Sequence, residues 1–402
     1  MGPATLLAVK PDPAVAVRVA AFMTVRFIHT ADWQLGMTRH FLSGEAQSRF
    51  SQARIDIIRR IGSLTTEEKA SFVVVAGDVF ETNQVETRTV RRALEALSDI
   101  RVPVYLLPGN HDPFDAGSVY RSPTFERQKP DNVIVLTDPS AHTPTEGVEI
   151  VGAPWMSKQA LRDPVEAVVA TLQPSPAVPR ILVAHGQIRD ALGGGGPAAI
   201  DVDKAEEAVA DKRISYLALG DRHSATRLGT SGHIYFSGSP EPTAHDEVDA
   251  GNVLVVELGP NGECSVHPRP VGTWRFLTNA FEIDRQSDVL EFGRWLDSQP
   301  SKDRSVARLT LKGTLSLAVD AQLQDLIEKH RDLFGAVEVT GDSDLIVRPD
   351  DDDFVDLALA GFAAEAVKEL RAAVAGPGAA SETARDALAL LVRLAGADGT
   401  GR

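Results

Sequence analysis

The chain has almost no cysteine. Its 402 residues include one, Cys264, which excludes a disulfide framework and any zinc site built on cysteine pairs. A lone thiol fits a reducing, cytoplasmic setting. Long apolar runs are also missing. None reaches the roughly 18 residues that suggest a transmembrane helix, so neither a membrane span nor a membrane partner is expected. Positive charge is scarce relative to negative: 41 Lys and Arg stand against 56 Asp and Glu, a net charge of −15. That argues against broad, nonspecific attraction to nucleic acid and confines any such contact to a local basic groove. The glycine run at 193–196 lacks the Lys-Ser/Thr of a phosphate-cradling loop and follows no suitable strand, so it reads as a flexible surface loop. The apolar share, 43%, is ordinary and allows a sizeable core. The length suits two or three domains.

Residues 1–22 are rich in Ala, Val and Pro. Pro11 and Pro13 break what would be the apolar core of a signal peptide, and no clear cleavage site follows. Met23 directly precedes the first expected strand. The segment reads as a disordered extension or a misplaced start rather than a targeting sequence.

From there the chain alternates. Buried strands are expected over 25–31, 72–76 and 104–107, with helices over 47–64 and 86–99 between them. Further strands are expected over 132–136, 148–152, 181–184 and 216–219. This is the pattern of parallel α/β layering, in which sites form beyond the C-terminal ends of strands. Five of these strands end in chemistry-bearing residues. They lead to Asp32-Trp33-Gln34, Gly77-Asp78, Pro108-Gly109-Asn110-His111-Asp112, His185-Gly186 and Gly220-Asp221-Arg222-His223. Gly109 is expected to supply the turn that aims the amide, imidazole and carboxylate after it into one crevice. Carboxylates, an amide and imidazoles are the donors that two divalent cations about 3.5–4 Å apart require, with one carboxylate bridging them and a phosphate ester as substrate. A nearby histidine can protonate the departing oxygen.

Short strands and turns over 234–270 are simplest as a second sheet of the same domain. Composition changes at Trp274. Residues 276–347 alternate strand and helix as a small α+β domain. An acidic run, Asp350 to Asp353, reads as a solvated linker. Two helical segments follow, over 354–374 and 381–394. Phe354, Leu357, Phe362, Val367 and Leu370 recur at helical spacing in the first. The simplest expectation is that these helices lie against their own domain.

His29-Thr30-Ala31-Asp32-Trp33-Gln34-Leu35-Gly36, Gly77-Asp78-Val79-Phe80, Gly109-Asn110-His111-Asp112, Ala184-His185-Gly186 and Gly220-Asp221-Arg222-His223 together resemble the five motifs of the calcineurin-like metallophosphoesterases. The His-Thr-Ala-Asp-Trp opening and Ser237-Gly238-Ser239-Pro240 are similar to the SbcD-type DNA repair exonuclease branch. The resemblance covers about 25–272 well and the later α+β domain loosely. It implies an α/β, four-layer α/β/β/α sandwich over 23–272, a capping α+β domain over 273–348, and an acidic linker with C-terminal helices over 349–402. By position, Asp32, Gln34, Asp78 and His223 would hold one metal. Asp78, Asn110, His185 and Asp221 would hold the other, with Asp78 as the bridge. His111 would be the general acid, oriented by Asp112. The implied partners are DNA and an SMC-like ATPase of the SbcC type, docked by helices that follow the nuclease core (354–394 here). Family members often form a homodimer.

Two positions depart from the pattern. Gln34 stands where the first motif has histidine, and Asp221 stands where the last motif has its first histidine. Gln34 offers a neutral amide oxygen, a weaker donor than imidazole. Asp221 adds a charge and a hard oxygen, which favours Mn²⁺ or Mg²⁺ over Zn²⁺. The alternatives are a small-molecule phosphodiesterase or phosphatase of the same superfamily, and a decayed, non-catalytic scaffold. Elsewhere, His29 reads as a packing or supporting residue, and Trp33 as core or wall. Cys264 reads as a packed thiol. His233 is left as a group that could approach the metals. His40, His142, His245, His267 and His330 receive no role.

Overall fold

A computed structural model describes residues 24–189, 196–347, 362–374 and most of 381–391. The N-terminal 1–22, the glycines at 193–195 and the acidic run at 350–353 lie outside the described residues. No described helix is long and apolar enough to cross a membrane.

The first half builds two βα layers in succession. β1 (Val25–Thr30), α1 (Gly44–Glu67), β2 (Val73–Val75), α2 (Thr87–Ser98), β3 (Val104–Leu106), α3 (Pro123–Gln128) and β4 (Val133–Val135) come first. β5 (Glu149–Ala153), α4 (Pro164–Val169), β6 (Arg180–His185), α5 (Val202–Ala210), β7 (Tyr216–Gly220), β8 (Thr226–Leu228) and β9 (Ile234–Phe236) follow. The local reasons are ordinary. The strands are β-branched and buried, as in Val73-Val74-Val75. Ser43, Ser122, Asp163 and Asp201 cap the helices that follow them by accepting from backbone N–H groups. Pro123 and Pro164 sit in the first turn, where a missing N–H costs nothing.

Among the described residues the first sheet runs β11-β10-β1-β2-β3-β4 and the second β5-β6-β7-β9-β8. Here β10 (Asn252–Leu258) and β11 (Cys264–Pro270) correct a sequence expectation. They do not extend a second sheet with β9. They return to the first, where β10 pairs antiparallel with β1 from Val25↔Leu258 to His29↔Leu254. This covers the edge that β1 would otherwise expose. Three cores separate the layers. One joins α1, α2 and α3 to the first sheet (Ile58, Leu94, Phe125, Val73). A second lies between the sheets (Phe27, Phe72, Val74, Val183, Tyr216). The third joins α4 and α5 to the second sheet (Val165, Ala205, Leu182). The result is the four-layer α/β/β/α sandwich.

A third sheet follows. β12 (Arg275–Glu282), α6 (Gln286–Ser298), β13 (Ser305–Leu315), α7 (Leu317–Arg331), β14 (Ala336–Val339) and β15 (Asp344–Val347) form a parallel βαβαβ unit with its own core. Its near edge rests on the loop after Gln34 and the start of α1, where Met37, Leu42 and Phe50 meet Trp274, Val306 and Ala336. α8 (Phe362–Val374) turns Val367, Leu370 and Val374 onto Leu317, Ala321 and Val347, and the described residues of 381–391, also helical, add Leu388 and Leu391 to the same cluster. Its apolar stripe is thus used on its own domain. Phe354 and Leu357 lie outside the described residues.

Candidate metal centre

The C-terminal ends of β1, β2 and β3 in one sheet meet those of β6 and β7 in the other. Backbone hydrogen bonds knit the ends within each sheet, Asp32 N donating to Gly77 O, Gln34 N to Asp78 O, and Gly186 N to Gly220 O, and His185 Nδ1 crosses between the sheets to Ala76 O. The approach is close enough to dictate glycine. A Cβ at Gly109 would sit 2.1 Å from Asp78 Oδ1, and one at Gly77, whose φ is +93°, would sit 2.2 Å from His185 Nδ1. Gly109 itself is not left-handed. It is required for space rather than for the turn expected from sequence. Strain gathers here as well. Among the described residues eight non-glycine residues have positive φ, and four are expected ligands: Asp32 (55°), Gln34 (43°), Asp78 (52°) and Asp221 (109°). Such residues cost about 1–3 kcal/mol each and persist where the surroundings over-determine them.

The structure brings the expected ligands together. Ligand atoms of Asp32, Asp78 and His185 lie within 4.8 Å of one another, and all three residues are buried. His185 Nδ1 donates to Ala76 O at 2.8 Å, which turns Nε2 inward. Nε2 faces Asn110 Oδ1 at 2.7 Å, Asp78 Oδ2 at 3.4 Å and Asp221 Oδ1 at 3.7 Å. Four acceptors pointed at one spot need a cation or a proton between them. Asp221 N bridges both oxygens of the Asp32 carboxylate, at 3.2 and 3.1 Å. On the other side Gln34 Nε2 lies 3.2 Å from His223 Nε2, and Gln34 Oε1 is buried without a partner. His223 Nδ1 is anchored 2.8 Å from Glu247 Oε1 and 2.8 Å from Thr243 Oγ1. A carboxylate behind the imidazole is how a ligating histidine is usually oriented.

The electrostatics match this crowding. Burial works to lower His185, but the Asp78 carboxylate, backed by Asp32 and Asp221, pushes the imidazole up to about 10. Burial raises Asp32 to about 7, against the pull of His185 and His223. Burial also raises Asp221. It works to raise Asp78 too, yet His185 and His111 hold that carboxyl below the usual range. Two buried carboxylates, the half-buried Asp221, an orphaned amide oxygen and two imidazoles with Nε2 turned inward form a set that fits divalent cations.

His111 stands at the rim, with Nδ1 3.0 Å from Glu81 O and Nε2 4.0 Å from Asp78 Oδ2. The expected support from Asp112 is corrected. Asp112 is fully buried and accepts from Gly109 N at 2.8 Å, Phe80 N at 2.9 Å and Tyr120 Oη at 2.6 Å. It therefore holds the two motif loops together, while Glu81 receives the His111 ring. Sequence reasoning passed over Glu81, Thr243 and Glu247. Glu81 follows Gly77-Asp78-Val79-Phe80 directly, a cue that was there to use. Nothing local marks Glu247, which comes 24 residues after the ligand it supports.

The remaining residues resolve simply. His29 is buried between the sheets and bonded to Tyr216 Oη and Leu219 O, each at 3.1 Å; burial lowers it to about 3. Trp33 is core, its indole N–H donating to Thr30 Oγ1. Cys264 lies in β11 against the inter-sheet core, and burial pushes its thiol up to about 12. His233 precedes β9 at the opposite end of the second sheet, bonded to Ser215 O, and does not approach the centre.

A cleft of about 590 Å³ opens beside Asp221 and His223, with Arg39 and Arg222 among its walls. Arg39 Nε is buried with no partner.

The family of calcineurin-like phosphoesterases matches residues 25–225, half of the chain. The chain belongs to that family. Over 92 residues it is 34% identical to the SbcD component of the nuclease SbcCD from Bacillus subtilis (strain 168), a stretch covering 22% of each chain. Over 91 residues it is 32% identical to the DNA double-strand break repair protein Mre11 of Methanococcus maripaludis, covering 22% of this chain and 23% of that one. The aligned stretches thus span under a quarter of these curated relatives. A dimetal phosphatase from Danio rerio is similar in structure, with a TM-score of 0.38 at 13% identity, covering 60% of this chain and 98% of that one.

Proposed function

We propose that this chain is a two-metal phosphodiesterase that cleaves DNA. The carrying observation is the donor set. Ligand atoms of Asp32, Asp78 and His185 lie within 4.8 Å of one another, Asn110 Oδ1 and Asp221 Oδ1 face His185 Nε2, and Gln34 Oε1 beside His223 is buried without a partner. When bound, two divalent cations polarise the phosphorus and lower the pKa of the attacking water. Oxygen-rich ligands favour Mn²⁺, with Mg²⁺ second. The protein's own groups do the rest. Asp78 would be the carboxylate shared by the two cations, and its Oδ1 accepts from His111 N at 3.0 Å, which ties it to the acid. His111, its Nδ1 committed to Glu81 O, presents Nε2 to the leaving oxygen as general acid. Arg39, with an unmet N–H, and Arg222 offer cations to backbone phosphates in the cleft.

DNA as substrate rests on the short nuclease and repair-protein relationships and on the third sheet beside the site, which we read as a cap. An SMC-like ATPase and a second copy of the chain are the other partners carried by this reading. The net charge of −15 favours a small phosphodiester instead. The deciding experiment is Mn²⁺-dependent cleavage of end-labelled single- and double-stranded DNA, with Asp78→Ala alongside. DNA cleavage that falls steeply with added salt and vanishes in the variant supports the reading. Hydrolysis of bis-p-nitrophenyl phosphate with intact DNA in every condition moves the substrate to a small molecule. Silence on both, with no Mn²⁺ bound, marks Gln34 and Asp221 as signs of a retired scaffold.

A further inference from the structure

The segment 241–247 supports one metal ligand and is tied at Glu241 and His245 to the third sheet and the backbone that leads into it. Two other residues hold His223: Thr243 Oγ1 and Glu247 Oε1 each lie 2.8 Å from His223 Nδ1, and Glu247 Oε2 accepts from Thr243 N at 2.8 Å, closing the segment on itself. Its first residue, Glu241, is buried and accepts from Thr273 N at 3.0 Å and Trp274 N at 2.6 Å, the backbone that leads into β12. Near its end His245 lies edge-on to Phe276 of β12 with ring centroids 5.0 Å apart, its Nδ1 3.3 Å from Thr278 Oγ1. Two neighbouring ligands share the connection: the residues after Gln34, Met37, Phe41 and Leu42, meet Trp274 and Phe276, and Asp32 O accepts from Ser239 Oγ, which also meets Glu241 O.

We propose that Glu241 and His245 are positioning residues that make the Gln34–His223 metal position depend on the seating of β12. Resting on the two-metal reading, this assigns the third sheet control over one metal rather than over substrate access alone. At the other position only Asp221, two residues before His223, shares that loop. Asp78, Asn110 and His185 are held by strand ends and by Asp112, so loosening the third sheet leaves them in place. The sequence offers a reason for a controllable position here. Gln34, the weaker donor, stands on the same side as the fastened segment, so that half has the least affinity to spare.

The test is a Mn²⁺ titration of the full chain followed by electron paramagnetic resonance, comparing wild type with His245→Ala and Thr278→Val. Wild type is expected to develop the exchange-coupled signal of two neighbouring Mn²⁺ ions. His245→Ala is expected to fill the first position normally and to weaken the second toward the low end of the roughly 10–100-fold range for loss of an outer-shell partner. At intermediate Mn²⁺ it would therefore show the uncoupled six-line signal. Thr278→Val removes one hydroxyl and is expected to shift in the same direction by less. Coupled signals at the same Mn²⁺ concentration in all three proteins would overturn the proposal. So would equal weakening of both positions, which would mean general damage. A wild type that never couples, while still cleaving a phosphodiester, overturns it too and points to a one-metal enzyme. A wild type that neither couples nor cleaves removes the underlying function.

Discussion

The two halves of the proposed centre draw on the same kinds of residue and are held by different means. Asp78, Asn110 and His185 stand at the ends of strands that pair in register within two sheets, and Asp112 clamps the loops of the first two through three hydrogen bonds. Gln34 and His223 stand on loops supported by residues far away in sequence and leaning on a third sheet. The first half depends on the sandwich, which has three cores behind it. The second depends on side chains that a modest displacement would disturb. The difference teaches that ligand identity and ligand support are separate properties. The two departures from the family pattern, Gln34 and Asp221, weaken one half and add charge to the other.

The sharpest way to break the comparison is to remove the residue shared by both halves. Asp78→Ala is expected to abolish binding at both positions and to cost at least about three orders of magnitude in kcat, equivalent to roughly 4 kcal/mol of transition-state stabilisation. Metal analysis and steady-state rates check it. His111→Ala is next, at about 10²–10⁴-fold on DNA. The same variant is expected to lose much less on bis-p-nitrophenyl phosphate, whose leaving group needs no proton. Equal losses on both substrates would remove His111 as the acid. Glu247→Ala acts on the loop-held half alone, weakening one metal by roughly 10–100-fold while the other binds as before. Gln34→His sharpens the contrast in the opposite direction, tightening that same metal by about tenfold, or roughly 1.4 kcal/mol, and shifting preference toward Zn²⁺. Asp112→Asn is the smallest change in shape. It removes charge from the group that holds Gly109, Phe80 and Tyr120, and a loss of about 1–3 kcal/mol in stability is expected from thermal or denaturant unfolding.

Much of this was legible in the chain because the sheet-held half is written locally. A run such as Phe72-Val73-Val74-Val75-Ala76 followed by Gly77-Asp78 states both the strand and the ligand that ends it. The strands leading to Asn110, His185 and Asp221 read the same way. What was not legible depends on distance. The return of β10 to β1 joins residues more than 220 positions apart, so local pattern placed it in the wrong sheet. Asp112 was assigned to its sequence neighbour His111, although its carboxylate points the other way, into the protein. The helices α3, α4 and α5 are short, and their Ser or Asp caps with Pro or acidic first turns carry little periodicity. β15 exposes alternate residues and shows no buried run. Glu247 and Thr243 gain meaning only when the second sheet brings their loop beneath His223.

If Asp78 bridges two cations held in these two ways, anomalous X-ray scattering from Mn²⁺-soaked crystals will show two peaks about 3.5–4 Å apart on either side of Asp78, one against His185 and Asn110 and the other against His223 and Gln34. A single peak, or a second peak that leaves Gln34 and His223 bonded to each other, would contradict it.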